Sequence, residues 1–240
     1  MESALFEDIE LELNTNCNRK CWYCPNSYTS RTPPGNMEES LFSLIIRQLK
    51  ELSYSGRLGF SFFGEPLLCR NLEAYIQMGR IALPNAQLVI FSNGDYLNLG
   101  MFKKLISLGV NLFIITQHIG AKSVFSEIYP SLPEKYKDKV IYRSYKEIRM
   151  HNRGGLIGDL HRDNMLSAPC YLPSEMMVVT AQGNVLPCCD DFNEINVMGN
   201  VKESSLIDIW TSSKFESFRT NLRNGQRHNY TPCVNCDHIS

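Results

Sequence analysis

The segment IELELNTNCNRKCWYCPNS (9–27) decides the fold, because a strand-like pattern runs directly into three closely spaced cysteines. Apolar and charged residues alternate at its start, which predicts a strand. Cys17, Cys21 and Cys24 follow that strand with the spacing C-x3-C-x2-C. Thiolates bind soft metals and iron–sulfur clusters, so the loop after the first strand is a candidate metal site.

The composition is that of a globular protein with a full core. The chain has 240 residues, of which 43% are hydrophobic, and a net charge of −1. No stretch approaches the roughly 20 apolar residues of a membrane span, and the start lacks the regions of a signal peptide. We therefore expect a cytoplasmic protein that binds neither nucleic acid nor membrane. Nine cysteines in a reducing compartment indicate metal binding or catalysis, and an odd count fits a disulfide framework poorly.

Strand-like and helix-like segments alternate through the first two thirds of the chain. This alternation predicts an α/β fold with a parallel sheet and right-handed crossovers. The motifs FFGEP, SNGD and TQHIG each follow a predicted strand, where ligand sites gather in parallel architectures. The predicted elements, in chain order, are strand 9–13, helix 38–52, strand 57–64, helix 71–82, strand 87–94, helix 97–109, strand 111–120 and strand 140–142.

The pattern changes in the last third of the chain. Residues 176–188 look like a hairpin and residues 204–225 like a helix, and cysteines flank both pieces. We therefore expect two units, residues 1–167 and a small metal-binding unit at residues 168–240.

The first three cysteines allow two kinds of metal site. Structural zinc normally takes four ligands, so a zinc knuckle would need Cys69 or His118 to complete it. Three protein ligands on a four-iron cluster instead leave one iron open, as a catalytic metal requires. Both readings remain possible on spacing alone.

Four further cysteines form a second candidate site. Cys233 and Cys236 have the C-x2-C spacing of a ligand pair, while Cys170 precedes the hairpin and Cys188 follows it. Four thiolates suit either structural zinc or a 4Fe–4S cluster. Cys69 follows an apolar pair, which is typical of a small buried residue.

The first motif, with Tyr23 before its last cysteine, resembles that of the radical S-adenosylmethionine (SAM) enzymes. FFGEP resembles the family's GGEP segment, with Phe63 in place of one glycine. The resemblance implies a 4Fe–4S cluster on Cys17, Cys21 and Cys24 whose open iron chelates SAM. Reductive cleavage of SAM then yields a 5′-deoxyadenosyl radical that abstracts hydrogen from carbon. The implied cofactor-binding residues are Tyr23, Phe63, Gly64, Glu65, Ser92, Asn93 and Gln117.

The order cysteine, hairpin, cysteine, helix, C-x2-C resembles the twitch subdomain, a shortened SPASM domain that holds one auxiliary 4Fe–4S cluster. The resemblance thus implies two 4Fe–4S clusters, the second on Cys170, Cys188, Cys233 and Cys236. It also implies a partial (β/α)6 TIM-like barrel followed by a small β-hairpin-plus-helix iron–sulfur module.

Further segments narrow the resemblance within the family. ITQHIGAK, NRGG, GNVLPC and DIWTSSKFESFR look like those of radical SAM dehydrogenases that oxidise aminocyclitols in aminoglycoside antibiotic biosynthesis. The implied reaction converts a secondary alcohol to a ketone: the radical takes the carbon-bound hydrogen, a base takes the hydroxyl proton, and one electron passes to the auxiliary cluster. We expect a monomer that receives electrons from a flavodoxin-type or other one-electron donor.

The predicted substrate contacts are polar groups suited to a cationic, hydroxyl-rich ring. Carboxylates suit its ammonium and a fork of donors suits its oxygens. Arg153 and His118 are the candidate catalytic residues; guanidinium is nearly always protonated, so we expect Arg153 to orient the alkoxide. His118 has a suitable reference pKa of about 6.5, although a lone histidine is more often structural or SAM-facing. The predicted substrate-binding residues are Glu10, Arg153, Cys189, Asp190 and Asp191, the last two also being compatible with a solvated turn.

Two other functions remain compatible with the sequence. The resemblance leads us to expect phenylalanine where Cys189 stands, and a thiol there could donate a hydrogen atom, as a radical SAM epimerase of an aminocyclitol or aminoglycoside would need. The other alternative is a non-catalytic zinc or iron–sulfur protein. A peptide-modifying enzyme is less favoured, because no separate leader-binding unit is visible.

Overall fold

Eight strands form one sheet in the computed structural model, which describes residues 5–31, 33–160 and 167–238. The sheet order is β5-β4-β3-β2-β1-β6-β7-β8, and the first six strands of that order run parallel. This arrangement confirms the predicted α/β class with an open, partial barrel. The strands are β1 (Asp8–Leu11), β2 (Arg57–Phe60), β3 (Gln87–Ser92), β4 (Leu112–Gln117), β5 (Val140–Ser144), β6 (Met176–Val179), β7 (Asn184–Leu186) and β8 (Gly199–Asn200).

Three helices of ten or more residues connect neighbouring parallel strands. These three, which the apolar periodicity predicts, join β1 through β4 in turn. The helix predicted at 204–225 is instead two helices, because the Ser212 side chain accepts a hydrogen bond from the amide of Phe215 and starts a new helix there. The helices are α1 (Glu39–Glu51), α2 (Leu72–Ala82), α3 (Leu99–Leu108), α4 (Val124–Ile128), α5 (Glu134–Lys137), α6 (Leu172–Glu175), α7 (Leu206–Trp210) and α8 (Ser213–Arg223).

The predicted hairpin continues the main sheet. Its first strand, β6, pairs in parallel with β1, so that Ile9 lies beside Met177 and Leu11 beside Val179. Its second strand, β7, turns back antiparallel. The division into residues 1–167 and 168–240 stays a prediction, and residues 161–166 before that boundary lie outside the described residues.

The two faces of β1 have different roles. Ile9 and Leu11 are fully buried in the hydrophobic core, together with Ile45 and Leu49 of α1. Glu10 points to the opposite face and lines a cavity at the carboxyl ends of the strands. Among the described residues, no helix is long and apolar enough to cross a membrane.

Candidate active site

A cavity of about 480 Å³ opens at the carboxyl ends of the parallel strands. It brings together most of the residues that the sequence predicts for the site, although they come from four different strand ends and from the segments around residues 151 and 189. The predicted residues that line it are Glu10, Cys17, Cys21, Tyr23, Cys24, Phe63, Gly64, Glu65, Ser92, Asn93, His118, Arg153 and Cys189.

The three cysteines after β1 face this cavity as buried thiols. Burial raises the pKa of Cys17 to about 11 and also raises the pKa of Cys21 and Cys24. The backbone amides of Arg19 and Asn26 donate hydrogen bonds to the sulfurs of Cys17 and Cys24 and favour their thiolates. A bound metal centre would supply the positive charge that stable thiolates need in this position.

The thiol spacing does not fit a single zinc ion. Four sulfurs around tetrahedral zinc lie about 3.8 Å apart, since each Zn–S bond is about 2.3 Å. In the described parts of the chain, the only trio of histidine, cysteine or acidic ligand atoms that all lie within 4.8 Å of one another is His151, Asp190 and His238. Neither proposed fourth ligand completes a zinc site among the described residues, because Cys69 lies in the core and His118 belongs to no such trio with the cysteines. The wider cysteine set fits a multi-iron cluster.

The loop after β2 is locked against the cysteine loop. The amide of Glu65 donates to the carbonyl of Asn16 at 2.7 Å, and the Asn14 side chain donates to the carbonyl of Glu65 at 2.8 Å. Gly64 makes this approach possible, since a Cβ atom there would lie 1.8 Å from the carbonyl oxygen of Asn14. The glycine of FFGEP is therefore required by contact, whereas the position of Phe63 tolerates a side chain.

The Glu65 carboxylate holds the loop after β3. It accepts hydrogen bonds from the Ser92 hydroxyl at 2.7 Å and from the amide of Asn93 at 2.9 Å. The Asn93 side chain then donates to Asn18 at 2.9 Å and lies 4.0 Å from the Cys17 sulfur. Glu65 thus organises this rim through its own side chain, and its carboxylate oxygens are already bonded within the protein.

Tyr23 and His118 form a stacked pair beside the cysteines. Burial, together with the nearby charge of Arg19, lowers the pKa of His118 to about 4. The imidazole is therefore neutral at physiological pH and bonded to the tyrosine hydroxyl. As a proton acceptor it would be weak.

Gln117 does not line the cavity, unlike the other predicted cofactor contacts. Its side-chain oxygen accepts from the amide and hydroxyl of Ser123, and its nitrogen donates to the carbonyl of Ala121. These bonds shape the loop after β4, and the predicted cofactor contact of Gln117 stays a prediction.

Glu10, Arg153 and Cys189 form a polar group in the same cavity. Glu10 accepts a hydrogen bond from the Ser61 hydroxyl at 2.8 Å, and burial raises its pKa. Burial alone would lower the pKa of Arg153, but the charge of Asp190 and its hydrogen bond oppose burial, so that the pKa of Arg153 is raised. Arg153 therefore stays a cation and cannot be the base. Burial also raises the pKa of Cys189 well above its usual value, which keeps that side chain a protonated thiol.

Asp190 lies just behind the cavity wall as the centre of a charged network. Its two oxygens meet Nε2 of His151 at 2.8 Å and Nδ1 of His238 at 2.6 Å, and Nη1 of Arg153 lies 3.3 Å from the oxygen that His151 contacts. Burial opposes ionisation, but the hydrogen bonds of both histidines and the charge of Arg153 hold the pKa of Asp190 well below its usual value. The aspartate therefore positions Arg153 and both histidines.

Asp191 is placed away from the cavity. Its oxygens accept hydrogen bonds from the amides of Ile195 and Asn196 at 2.9 Å and 2.7 Å, and the residue is 1% exposed. The turn interpretation of the sequence describes it better than the substrate contact does, although the turn is buried.

Sequence reasoning missed several residues that shape the site. His151 and His238 line the cavity, yet each stands alone in the sequence and gives no motif. Arg19 binds Asp95 through two nitrogens and thereby fixes the cysteine loop to the loop after β3. A signal existed only for Arg19, which is a cation inside the C-x3-C spacing.

The remaining predicted thiols gather in a second site. The pKa of Cys188 is raised in part by Cys233 and Cys236, and Cys170 contributes to the raised pKa of Cys233 and of Cys236. The four thiols therefore lie close together. Burial raises the pKa of Cys233 and of Cys236 to about 12. In the parts of the chain that the structure describes, no three sulfurs of this set all lie within 4.8 Å of one another. Four thiols at this wider spacing fit a fully ligated cluster.

A buried arginine supports this second site. Arg227, 1% exposed, donates to the carbonyls of Ala168, Pro169, Cys236 and His238. It thereby ties the segment before Cys170 to the C-x2-C segment. Its charge also favours the thiolate forms of Cys233 and Cys236.

Comparison with known proteins agrees with this geometry. The family profile of the radical SAM superfamily matches residues 11–153, and that of SPASM, an iron–sulfur cluster-binding domain, matches residues 170–237. The chain is 42% identical over 236 residues to the S-adenosyl-L-methionine-dependent 2-deoxy-scyllo-inosamine dehydrogenase of Niallia circulans, covering 98% of this chain and 94% of that protein.

Solved structures extend the likeness. The crystal structure of BtrN in complex with AdoMet and 2-DOIA matches with a TM-score of 0.95 and 43% identity, over 99% of this chain and 95% of that one. BtrN in an open conformation matches with a TM-score of 0.82 and 38% identity, over 100% of this chain and 95% of that one. AnSMEcpe with bound AdoMet, 13% identical with a TM-score of 0.63, shares the fold over 89% of this chain and 83% of its own. The fold therefore lies nearer the ligand-bound form of BtrN than the open form.

Proposed function

The chain belongs to the radical SAM superfamily, and from that premise we propose that it oxidises a secondary alcohol of an aminocyclitol such as 2-deoxy-scyllo-inosamine to a ketone. A radical SAM enzyme with a SPASM-type domain uses SAM and two iron–sulfur clusters, so a non-catalytic zinc protein is set aside. Antibiotic biosynthesis is the setting in which such a step fits.

The observation that carries the proposal is one shared cavity. It places Cys17, Cys21 and Cys24 in the same space as Glu10 and Arg153. A carboxylate and a guanidinium suit the ammonium and hydroxyl groups of an aminocyclitol. The 42% identity to a dehydrogenase named for such a substrate supports the same class.

In the proposed reaction, one set of residues would hold the cofactors and another set would hold the substrate. When bound, the first cluster and SAM supply a carbon-centred radical that can take hydrogen from an unactivated carbon. Cys17, Cys21 and Cys24 would hold that cluster. The loops of Gly64 and Asn93 would bind SAM beside it. Cys170, Cys188, Cys233 and Cys236 would hold the auxiliary cluster.

The substrate ring lies between these two sites in the proposed reaction. Glu10 would bind its ammonium, since a buried carboxylate gains most from an opposite charge. Arg153, kept protonated by Asp190, would bind the oxygen that becomes the carbonyl and stabilise its developing negative charge.

The test is incubation of the anaerobically reconstituted enzyme with SAM, a reductant and 2-deoxy-scyllo-inosamine. We expect a ketone lighter than the substrate by two hydrogens, formed together with 5′-deoxyadenosine. Cleavage of SAM without a change in this substrate would contradict the proposed substrate. Failure to cleave SAM at all would contradict the proposed use of the first three cysteines.

A second candidate function rests on Cys189. Its thiol lines the cavity and is kept protonated by burial, as a donor of a hydrogen atom must be. An epimerase would return a product of unchanged mass and inverted stereochemistry. Cys189→Ala should abolish that outcome, whereas it should leave ketone formation within about tenfold of the original rate, since a typical hydrogen bond contributes about 0.5–1.5 kcal/mol and about 1.4 kcal/mol corresponds to tenfold.

The remaining features of the proposal concern partners and organisation. We infer a monomer that receives electrons from a flavodoxin-type or other one-electron donor, in a cytoplasmic setting that suits nine free thiols. Residues 1–167 would form the radical SAM unit and residues 168–240 the auxiliary-cluster unit, with strand β6 of the second completing the sheet of the first.

A further inference from the structure

The oxidation needs a group that removes the hydroxyl proton, and neither predicted candidate fits. Arg153 is held as a cation by Asp190, and burial together with the charge of Arg19 lowers the pKa of His118 to about 4, which makes it a weak proton acceptor. The cavity contains two more imidazoles, those of His151 and His238.

Asp190 fixes the tautomer of His151. Its oxygens contact Nε2 of His151 and Nδ1 of His238, and Arg153 binds the oxygen shared with His151. An arginine can only donate, so the oxygen that Arg153 and His151 share is an acceptor, and Nε2 of His151 donates to it. The other ring nitrogen of His151, Nδ1, then has a free lone pair.

The position of His151 beside Arg153 distinguishes it from His238. Nε2 of His151 and Nη1 of Arg153 meet the same oxygen of Asp190, at 2.8 Å and 3.3 Å. His238, two residues after Cys236, binds the other oxygen. A substrate oxygen bound to Arg153 therefore has the imidazole of His151 as its neighbour.

We propose that His151 is the catalytic base, which accepts the hydroxyl proton of the substrate on Nδ1 while Asp190 orients the imidazole; the proposal rests on the proposed oxidation of an alcohol. The O–H bond breaks, the proton bonds to Nδ1, and the electron pair stays on oxygen. The carbon, which has already lost a hydrogen atom, then gives one electron to a one-electron acceptor, an oxidised iron–sulfur cluster, as the C=O bond forms. Asp190 stabilises the imidazolium, as a carboxylate does beside a catalytic histidine.

The test uses His151→Gln in the cofactor-loaded enzyme, because glutamine can still donate to Asp190 but cannot take up the proton. General-base catalysis contributes about 10²–10⁴-fold, so we expect ketone formation to fall by about 100-fold or more. Radical formation does not need the base, so 5′-deoxyadenosine should still form and its ratio to ketone should rise about tenfold or more above the wild-type value. A merely structural role would lower both products together.

Two further variants keep the result decisive. His151→Ala leaves room for free imidazole, which should restore ketone formation as its concentration rises. His228→Gln makes the same substitution at an exposed histidine outside the cavity and should keep the wild-type ratio. Iron content and substrate binding should match the wild type in all three.

The outcomes separate this proposal from the proposed function. A wild-type enzyme that forms no ketone contradicts the proposed function itself. A wild-type enzyme that forms ketone, with His151→Gln equally active and equally coupled, overturns the assignment of His151. Uncoupling in His238→Gln but not in His151→Gln would overturn it too, in favour of the other imidazole.

Discussion

Glu10 is a carboxyl group in a place that disfavours its charge. It lies on the cavity face of β1, and burial raises its pKa more than the hydroxyl of Ser61 and the charge of Arg57 lower it. An acid whose pKa is higher in the folded state contributes stability that is lost as the pH rises through that window. At neutral pH the ionised Glu10 therefore lowers the free energy of unfolding. A destabilising charge is expected in a binding site, and here it would bind a cationic substrate.

We accordingly predict that Glu10→Gln stabilises the protein and weakens substrate binding. The free energy of unfolding should rise by about 1 kcal/mol at pH 7, the usual size of a single-residue effect. The gain should shrink as the pH is lowered towards 4.5, the ordinary pKa of a glutamic acid, because Glu10 is then protonated. Urea unfolding at several pH values measures the first effect, and the KM of the substrate, expected to rise about tenfold, measures the second.

The matched control is Glu7→Gln, at an exposed acid just before the same strand. It should change neither quantity. A Glu10→Gln variant that is less stable than the wild type at pH 7 would show that the carboxylate is stabilised where it lies.

Cys24 and Cys69 test the assignment of thiols to metal. The first lines the cavity and the second lies in the hydrophobic core. With two 4Fe–4S clusters the loaded protein holds about eight irons, and we predict that Cys24→Ala lowers this to about four and abolishes SAM cleavage. Cys69→Ala should keep the full iron content and lose only about 1 kcal/mol of stability. Iron and sulfide analysis after anaerobic reconstitution decides, and an unchanged iron content in Cys24→Ala would refute the assignment.

The place of a residue in the site was predictable where a short motif contains it. It was not predictable where the role of the residue depends on partners far away in the sequence. Cys17, Cys21, Cys24 and the Ser92–Asn93 turn come from motifs a few residues long, and all of them line the cavity. Asp191 looks like a substrate carboxylate in sequence, but its oxygens are used by two amides four and five residues later. The role of His151 depends on Asp190, 39 residues away, and no pattern in the sequence joins them.

The type and order of the helices and strands were predictable from the sequence. Their exact ends and the pairing of the strands were less predictable. The helix predicted at 38–52 is α1, and its ends differ by one residue. The strand predicted at 57–64 ends at Phe60, because the chain turns there to bring Gly64 against Asn14. The pairing of β6 with β1 joins segments about 170 residues apart, which local periodicity cannot encode.

The contact between the loops after β1 and β2 leads to a prediction about Gly64. A Cβ atom at this position would meet the carbonyl oxygen of Asn14 at 1.8 Å, a backbone atom that cannot move aside alone. We expect Gly64→Ala to destabilise the protein by about 3 kcal/mol and to separate the two loops. Because the cysteine loop is held by this contact, the first cluster should be lost while the auxiliary cluster remains.

Gly158→Ala is the control, since a Cβ atom at Gly158 would meet no atom within 4 Å. It should keep both the stability and the iron content of the wild type. The electron paramagnetic resonance spectrum of the reduced protein distinguishes the two clusters. Full occupancy of the first cluster in Gly64→Ala would mean that the loops tolerate separation.

At the scale of the molecule, the two proposed units share more than a sheet. The buried Arg31, in the segment after the cysteine loop, makes two hydrogen bonds to Glu12 beyond β1, at 3.1 Å and 3.0 Å. It also pairs with Glu194 at 2.6 Å and donates to the carbonyl of Phe192, both in the cysteine-rich last third of the chain. The guanidinium further lies 5.4 Å from the ring of Phe192. Rotation of one unit against the other would break these contacts, so we expect the described parts of the chain to unfold as one cooperative unit.

Arg31→Met tests this connection. Glu12 is fully buried, and removal of its partner would leave an uncompensated charge, which typically costs about 3–5 kcal/mol. We predict a loss of that size in urea unfolding, and a smaller loss in the double variant Arg31→Met with Glu12→Gln, because the stranded charge is then gone. Arg70→Met, at an exposed arginine, should change stability by no more than about 0.5 kcal/mol. If the losses of the single variants Arg31→Met and Glu12→Gln simply add in the double variant, the arginine and the glutamate act independently, and the stability that Arg31 provides comes from Glu194 and Phe192.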